Sequence, residues 1–179
     1  MRIIAGLHKN RRIDFKNLNI RPTTNFAKES LFNILNNHYS IENTTVLDLF
    51  AGSGNISLEF ISRGSNNVIA VDNNIKCVNF IKGMKEKLTI KNLIIQLANA
   101  NSFLKKNNMC YDIIFLDPPY EYVQSEYDLI IKNIINNNIM NENAMIVIEH
   151  SIFINFEQHF MFYNTRKYGR VHFTFLKNE

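Results

Sequence analysis

An alternation of short apolar runs with amphipathic segments, between residues 46 and 149, constrains the fold of this chain more than any other feature. The apolar runs are rich in Val, Ile and Leu, as in parallel strands that are buried on both faces. Predicted strands cover residues 46–50, 68–72, 93–98, 111–117 and 144–149, and predicted helices cover 56–63, 74–87, 101–107 and 125–138. This order predicts an α/β fold with a doubly wound, mostly parallel sheet.

The two ends of the chain follow different patterns. Residues 1–20 alternate weakly around a polar turn, which predicts a short β-hairpin extension ahead of a main domain at 21–179. Thr24 or Asn25 is expected to cap a helix that reaches about residue 37. Strand-like runs at 160–163 and 171–175, joined by 164–170, leave no room for a crossover helix and predict a closing antiparallel hairpin at the sheet edge.

Composition is typical of a folded domain, with 46% hydrophobic and 20% charged residues. No apolar run approaches the roughly 18 residues of a membrane span, and the polar start lacks the apolar core of a signal peptide. We therefore expect a soluble, cytoplasmic protein. Cys77 and Cys110 lie in no metal-binding pattern, so neither zinc nor a disulfide is indicated.

The segment YDIIFLDPPY at 111–120 is the first candidate for a catalytic site. A buried strand ends at Asp117, and Pro118 and Pro119 stiffen the turn that presents Tyr120. This arrangement suits a planar base with an exocyclic amine, because the carboxylate accepts a hydrogen bond from the amine while the base stacks on the ring. Such stacking is worth roughly 1–3 kcal/mol. An ordinary Asp-Pro turn at a strand end is the alternative interpretation.

The segment DLFAGSG at 48–54 is the candidate cofactor loop, because it joins a predicted strand to a helix. Gly52 and Gly54 allow a tight turn and a close approach of ligand to backbone. Ser57 stands where a dinucleotide fingerprint has its third glycine, and Asp48 would repel a pyrophosphate but attract an ammonium or sulfonium. S-adenosyl-L-methionine has both cations and no phosphate, so it is the expected cofactor.

Asp72 ends the next predicted strand, where it could accept hydrogen bonds from ribose hydroxyls or cap the following helix. If the first and fourth strands are neighbours, residues 48–54 and 117–120 face each other across one crevice. Glu149 and His150 end the fifth strand, where we expect a structural role.

The net charge is +4, and basic residues are concentrated near both ends of the chain. They are Arg2, Lys9, Arg11, Arg12, Lys16, Arg21 and Lys28 at one end, and Arg166, Lys167 and Arg170 at the other. These groups could form one phosphate-binding surface, or they could be ordinary solvated charges.

Taken together, five motifs resemble the bacterial 16S ribosomal RNA guanine-N2 methyltransferases of the RsmD type. They are RPTT at 21–24, AKESLFNIL at 27–35, DLFAGSG at 48–54, DPPY at 117–120 and RKYG at 166–169. Their order and spacing extend the resemblance over essentially the whole chain, and the RPTT block ahead of DLFAGSG is the most specific of them.

The resemblance implies a Rossmann-like class I methyltransferase with a seven-stranded sheet, which methylates one guanine of 16S rRNA or of an assembling small subunit. The implied donor-binding residues are Asp48, Phe50, Ala51, Gly52, Ser53, Gly54, Asp72, Asn73, Asn99 and Ala100. Asp117, Pro118, Pro119 and Tyr120 would hold a flipped-out guanine for in-line methyl transfer. Arg11, Arg12, Arg21, Thr23, Thr24, Arg166 and Lys167 would contact or border the RNA. We expect a monomer without a metal and without a membrane partner.

Three positions depart from the family pattern, of which Asn99 matters most. The family usually has Asp there to accept from the adenine amine, so Asn99 predicts weaker donor binding without that charge. Asp72 and Asn25 stand where the family tends to have Glu and Asp. Two alternatives stay open: an amino-group methyltransferase that acts on DNA or protein, and a non-catalytic RNA-binding protein that retains the fold. A phosphate-binding nucleotide enzyme is disfavoured by Asp48.

Overall fold

The computed structural model describes residues 1–15, 18, 23–169 and 171–178. The helices are α1 (Asn25–Leu35), α2 (Asn55–Ser62), α3 (Ile75–Lys87), α4 (Ala100–Leu104) and α5 (Gln124–Asn136). The strands are β1 (Thr45–Asp48), β2 (Asn67–Asp72), β3 (Leu93–Leu97), β4 (Tyr111–Leu116), β5 (Met140–His150), β6 (Phe162–Tyr168) and β7 (Val171–Lys177). Within these ranges, no helix is both long and apolar enough to cross a membrane.

All seven strands form one sheet, in the order β3-β2-β1-β4-β5-β7-β6. Strands β1 to β5 pair in parallel, and β7 pairs antiparallel with both β5 and β6. The chain therefore reverses its direction of travel across the sheet between β1 and β4, which is where open α/β sheets bind ligands. The predicted α/β class, parallel sheet and closing hairpin are confirmed.

Helices cover both faces of the sheet because successive strand residues point to opposite sides. Val46, Ile113 and Phe115 pack on the face covered by α1, α2 and α3. Leu47 and Ile114 pack on the other face, against α4 and α5. The continuous apolar runs in the sequence thus supply two cores rather than one.

Several predicted boundaries were wrong, most clearly in the closing hairpin. Strand β6 extends to Tyr168, so the predicted connection at 164–170 is mostly strand, and Gly169 turns the chain with a φ of 63°. The sequence Asn164–Lys167 is polar because β6 is an edge strand, where pairing with β7 outweighs weak strand propensity. Helix α1 ends at Leu35 rather than near 37, and α4 at Leu104 rather than 107.

The N-terminal segment folds back on itself through an isolated antiparallel bridge between Arg2 and Arg12. The N–H of Ile3 donates to the carbonyl of Arg11 at 3.0 Å. The side chains of Ile3 and Ile13 are buried in the core formed by α1 and α2. Residues 1–15 therefore pack directly on the sheet-bearing part of the chain.

A buried ion pair between Lys28 and Glu59 fastens this segment to α1 and α2. Lys28 Nζ lies 2.9 Å from Glu59 Oε2, and both side chains are completely buried. Glu59 also accepts hydrogen bonds from the N–H groups of Ile4 and Ala5 at 2.9 and 3.0 Å. Burial lowers the pKa of Lys28 despite this carboxylate. Lys28, which we included in the basic surface, was wrongly placed there and is a core residue.

The Glu59→Gln variant is expected to be much less stable than the wild type. It would leave the Lys28 ammonium buried without its charged partner, a change that costs roughly 3–5 kcal/mol. Urea denaturation, with the exposed Glu86→Gln variant as control, measures the difference in the free energy of unfolding. A loss below about 1 kcal/mol would show that this ion pair does not stabilise the N-terminal segment.

Candidate active site

A cavity of about 400 Å³ opens at the carboxyl ends of β1, β2 and β4. This volume falls within the roughly 300–1,000 Å³ of small-molecule sites. Its walls include these residues of the two candidate motifs and the loop ends between them: Asp48, Phe50, Ala51, Gly52, Ser53, Asp72, Asn73, Asn99, Ala100, Asp117, Pro118, Pro119 and Tyr120. The structure thus brings the two motifs together at the point where strand order reverses.

The loop at 48–54 is held by backbone hydrogen bonds to the strands on either side. Leu49 donates to the carbonyl of Phe115 in β4 at 3.1 Å, and Ala51 donates to Val71 in β2 at 2.9 Å. Gly52 donates to Asp72 Oδ2 at 2.7 Å and has a φ of 52°, which favours glycine. The loop is therefore fixed before any ligand enters.

Gly54 is the one predicted donor-binding residue that the cavity wall does not include. Its φ of 71° opens α2, and a Cβ there would lie 3.0 Å from Ile81 Cγ1. The glycine is thus explained by the turn and by the close approach of α3. Its expected contact with the ligand has no support in this geometry.

Asp48 is the most unusual group in the cavity, because its carboxylate is 1% exposed and only partly hydrogen-bonded. Ser57 donates to Oδ2 at 2.6 Å, whereas Oδ1 has no hydrogen-bond partner. Burial raises the pKa of Asp48 from 3.8 to about 7, and the nearby Asp72 charge adds to this effect, against the opposing bond from Ser57. An unpaired buried carboxylate oxygen fits a cationic ligand.

Asp72 and Asn99 both shape the loops around the cavity. Asp72 accepts from Gly52 and, through Oδ1, from the N–H of Asn74 at 2.8 Å. Asn99 caps α4 by accepting from Asn101 at 3.0 Å, and its side chain is exposed. Each of these oxygens has a second lone pair, so each can still accept a hydrogen bond from a ligand.

Asp117 leaves β4 beside two other carboxylates. Burial, followed by the charges of Glu149 and Asp48, raises the pKa of Asp117 well above its ordinary value. The following turn is closed by a hydrogen bond from Tyr122 to the carbonyl of Pro119 at 3.0 Å. The Tyr122 ring packs edge-on to Phe50, 5.7 Å between centroids, and so joins the two motifs across the cavity.

Glu149 ends β5 next to this group, where we had expected a purely structural residue. Thr23 donates its hydroxyl to Glu149 Oε2 at 2.6 Å, and both side chains are buried. Thr23 also lines the cavity, so this predicted RNA-border residue lies inside it. The signal that could have identified Glu149 is its position, since like Asp48, Asp72 and Asp117 it is an acid at the carboxyl end of a strand.

These acids lie on one face of the sheet, because Asp48 and Glu149 follow Val46 and Val147 by two positions, as Asp72 follows Ala70. No lysine or arginine appears in the cavity wall formed by the described residues. Such a site disfavours phosphate and favours a cation or hydrogen-bond donors. Across the described ranges, no cluster of three or more His, Cys, Asp or Glu side chains could hold a metal.

The remaining predicted RNA-binding residues lie outside the cavity. Arg11, Arg12, Arg166 and Lys167 have exposed side chains, and Arg21 lies outside the described residues. Thr24 caps α1 by accepting from the N–H of Ala27 at 3.2 Å. We did not predict Asn55, which opens α2 in the cavity wall and binds Lys28 and the carbonyl of Thr23.

Comparison with known proteins gives consistent matches. The family model described as Conserved hypothetical protein 95 matches residues 1–177. Ribosomal RNA small subunit methyltransferase D of Buchnera aphidicola subsp. Baizongia pistaciae is 39% identical over 150 residues, which cover 83% of this chain and 75% of that protein. The Haemophilus influenzae protein of the same name is 33% identical over 83% of this chain and 78% of its own length.

Solved structures agree with the fold. The Escherichia coli protein yhhF superposes with a TM-score of 0.86 at 25% identity, covering 100% of this chain and 98% of its own. A Thermus thermophilus 16S rRNA methyltransferase in complex with AdoMet and guanosine gives a TM-score of 0.69 at 18% identity, over 90% of this chain and 45% of that one. The second match bears on the fold alone, which is that of class I methyltransferases.

Asp48→Asn is expected to stabilise the ligand-free protein at alkaline pH. Because the folded state raises the pKa of Asp48 from 3.8 to about 7, ionisation across that range costs folding free energy, at most about 4 kcal/mol. The variant should be the more stable protein at pH 8, and this advantage should shrink towards pH 4. Denaturation at both pH values, with the exposed Asp128→Asn as control, measures it. An advantage independent of pH would contradict this account of Asp48.

Proposed function

The chain belongs to the Conserved hypothetical protein 95 family, and we propose that it transfers a methyl group from S-adenosylmethionine to the N2 amine of a guanine in small-subunit ribosomal RNA. The observation that supports this most directly is the shared cavity of Asp48 and Asp117 at the ends of neighbouring strands. One acid suits a cation and the other suits an amine, so the two reactants would meet between them.

The donor would occupy the side of the cavity next to β1 and β2. The unpartnered Oδ1 of Asp48 would face a positive charge, and the free lone pairs of Asp72 would accept from ribose hydroxyls. Asn99 and Ala100 would border the adenine, where the second lone pair of Asn99 accepts from its amine. When bound, S-adenosylmethionine supplies an electrophilic methyl group on a sulfonium.

Asp117 would hold the amine of the target base. The two prolines that follow it keep its carboxylate in place, so it can accept one N2 hydrogen while a backbone carbonyl of the turn accepts the other. These bonds favour a pyramidal nitrogen and localise its lone pair for attack. The methylated nitrogen then loses a proton to solvent. Alignment of this kind can lower a barrier by roughly 7–11 kcal/mol at best.

Tyr120 would receive the base after it leaves the RNA stack. The ring is 60% exposed at the rim of the cavity, next to Asp117 in the chain. Enzymes that modify a base must extrude it and usually stack it on an aromatic side chain. The exposed ring therefore provides a stacking surface worth roughly 1–3 kcal/mol.

Basic side chains from both chain ends would grip the RNA backbone around this cavity. Arg12 pairs with Arg2, whose carbonyl accepts from Lys28, and Lys28 also binds Asn55 in the cavity wall. On the other side, the Tyr168 ring contacts Phe26 at 5.9 Å, close to Thr23. Arg166 and Lys167 directly precede Tyr168. Phosphate contacts from these side chains would position the RNA without reading its sequence.

The direct test of the proposed function is methyl transfer to small-subunit particles. Purified protein and labelled S-adenosylmethionine are incubated with unmodified small subunits, naked small-subunit rRNA, DNA and protein, and the product is mapped by mass spectrometry. We expect one N2-methylguanine in the ribosomal RNA. Transfer to DNA or protein alone, or no transfer, would refute the proposal. Because the acceptor is ribosomal, we also propose that the protein acts in the cytoplasm, as a monomer.

Asp117→Ala should abolish methyl transfer while leaving donor binding nearly unchanged. The side chain contributes to acceptor alignment, and loss of one preorganised electrostatic contact typically lowers kcat by about 10²–10³-fold. Single-turnover transfer and calorimetry with S-adenosylmethionine separate the two effects, with Asp128→Ala as an exposed control. Full activity of the Asp117→Ala protein would exclude this role.

The double variant Arg11→Ala, Arg12→Ala should bind RNA more weakly and with a shallower dependence on salt. Each lost phosphate contact reduces the slope of log K against log salt by about 0.7–0.9. The exposed pair Lys105→Ala, Lys106→Ala, beyond the end of α4, serves as the charge-matched control. An unchanged slope for the arginine variant would remove Arg11 and Arg12 from the interface.

A further inference from the structure

A narrow cleft adjoins the main cavity and shares Asp117, Pro118 and Tyr120 with it. Its remaining wall includes Tyr127 and Glu149. The volume is about 10 Å³, close to the space of one water molecule. A base ring cannot enter this cleft, but the polar edge of a base held on Tyr120 can face it.

Asp117 and Glu149 lie side by side along this cleft. In the β4–β5 register, Leu116 pairs with Ile148, and each acid is the next residue in its chain. The Glu149 charge is one cause of the raised pKa of Asp117. Thr23 fixes Glu149 from the α1 side through the 2.6 Å hydrogen bond to Oε2. Two adjacent carboxylates in a buried site are unfavourable unless hydrogen-bond donors neutralise them.

Guanine supplies donors at this spacing on its Watson–Crick edge. Its N1–H lies beside the N2 amine, so two neighbouring acceptors match both groups at once. Adenine has an unprotonated N1 there, whose lone pair would face a carboxylate. A site built to accept from an N–H rejects an analogue that lacks it far more strongly than an apolar pocket does.

We propose that Glu149 is a specificity-determining residue, which accepts the N1–H of the target guanine while Asp117 accepts from its N2 amine. This inference rests on the proposed function and deepens it. Glu149 thus selects guanine, and Thr23 holds its carboxylate in position. A residue that only ended β5 would need no negative charge here, and a neutral Gln would avoid the repulsion from Asp117.

The probe for this role is 2-aminopurine, which keeps the exocyclic N2 amine but has an unprotonated N1. Small-subunit rRNA is assembled by ligation with guanine or 2-aminopurine at the position mapped above, and methyl transfer to each is measured. Wild-type protein should prefer guanine, because a hydrogen bond to a charged group is lost with 2-aminopurine, a factor of roughly 10–150.

Glu149→Gln should reverse much of this preference. The Gln amide no longer offers a carboxylate to N1–H but can donate to the bare N1 of 2-aminopurine. We expect kcat/KM for guanine RNA to fall by roughly 10–150-fold, with the rate for 2-aminopurine RNA unchanged or raised. Thr23→Val should lower the guanine rate in the same direction but less. Glu142→Gln, an exposed position of β5, should behave as wild type.

The outcomes are distinct. Equal loss on both RNAs by Glu149→Gln would mean that Glu149 only supports the fold, and an unchanged guanine rate would mean that it does not contact the base; either result overturns the inference. Retained 2-aminopurine transfer also shows that the variant is folded, and calorimetry with S-adenosylmethionine checks its donor site. A wild-type protein inactive on guanine RNA would instead refute the proposed function.

Discussion

The convergence of buried carboxylates at the carboxyl edge of the sheet is the constraint on which the site depends. Asp48, Asp117 and Glu149 raise the local cost of negative charge, and no described lysine or arginine lines the cavity to offset it. A hydroxyl from Ser57 and another from Thr23 satisfy only part of this demand. The site is therefore preorganised for a cationic donor and for the N–H groups of a base.

The scaffold keeps those acids together by separating them from the cation that the chain does bury. Lys28 lies on the same side of the sheet but is fully paired with Glu59 in the core beneath the N-terminal segment. Asn55 binds Lys28 on one side and the carbonyl of Thr23 on the other. This network fixes the start of α1 and places Thr23 against Glu149, so that the folding of residues 1–15 also supports the cavity wall.

Much of this could be predicted from the sequence because it depends on local patterns. Apolar runs gave the order of strands and helices, and DLFAGSG and DPPY gave two sides of the cavity. What the sequence could not give is pairing across distance. Lys28 is like any surface lysine until Glu59 lies opposite it, and Thr23 and Glu149 meet across 126 positions. The polar β6 was missed because strand pairing, not propensity, determines an edge strand. How residues 1–20 and 21–179 divide into domains stays a prediction.

The most direct measurement of this account is proton release on donor binding. Asp48 has a pKa of about 7 in the ligand-free protein, so near pH 6.5 a bound cation should drive its proton into solution. Calorimetric titration of S-adenosylmethionine in buffers of different ionisation enthalpy counts that proton. We predict release of between about half and one proton per donor, lost in the Asp48→Asn protein. Binding without proton release in the wild type would contradict the claim that an uncompensated carboxylate selects the donor.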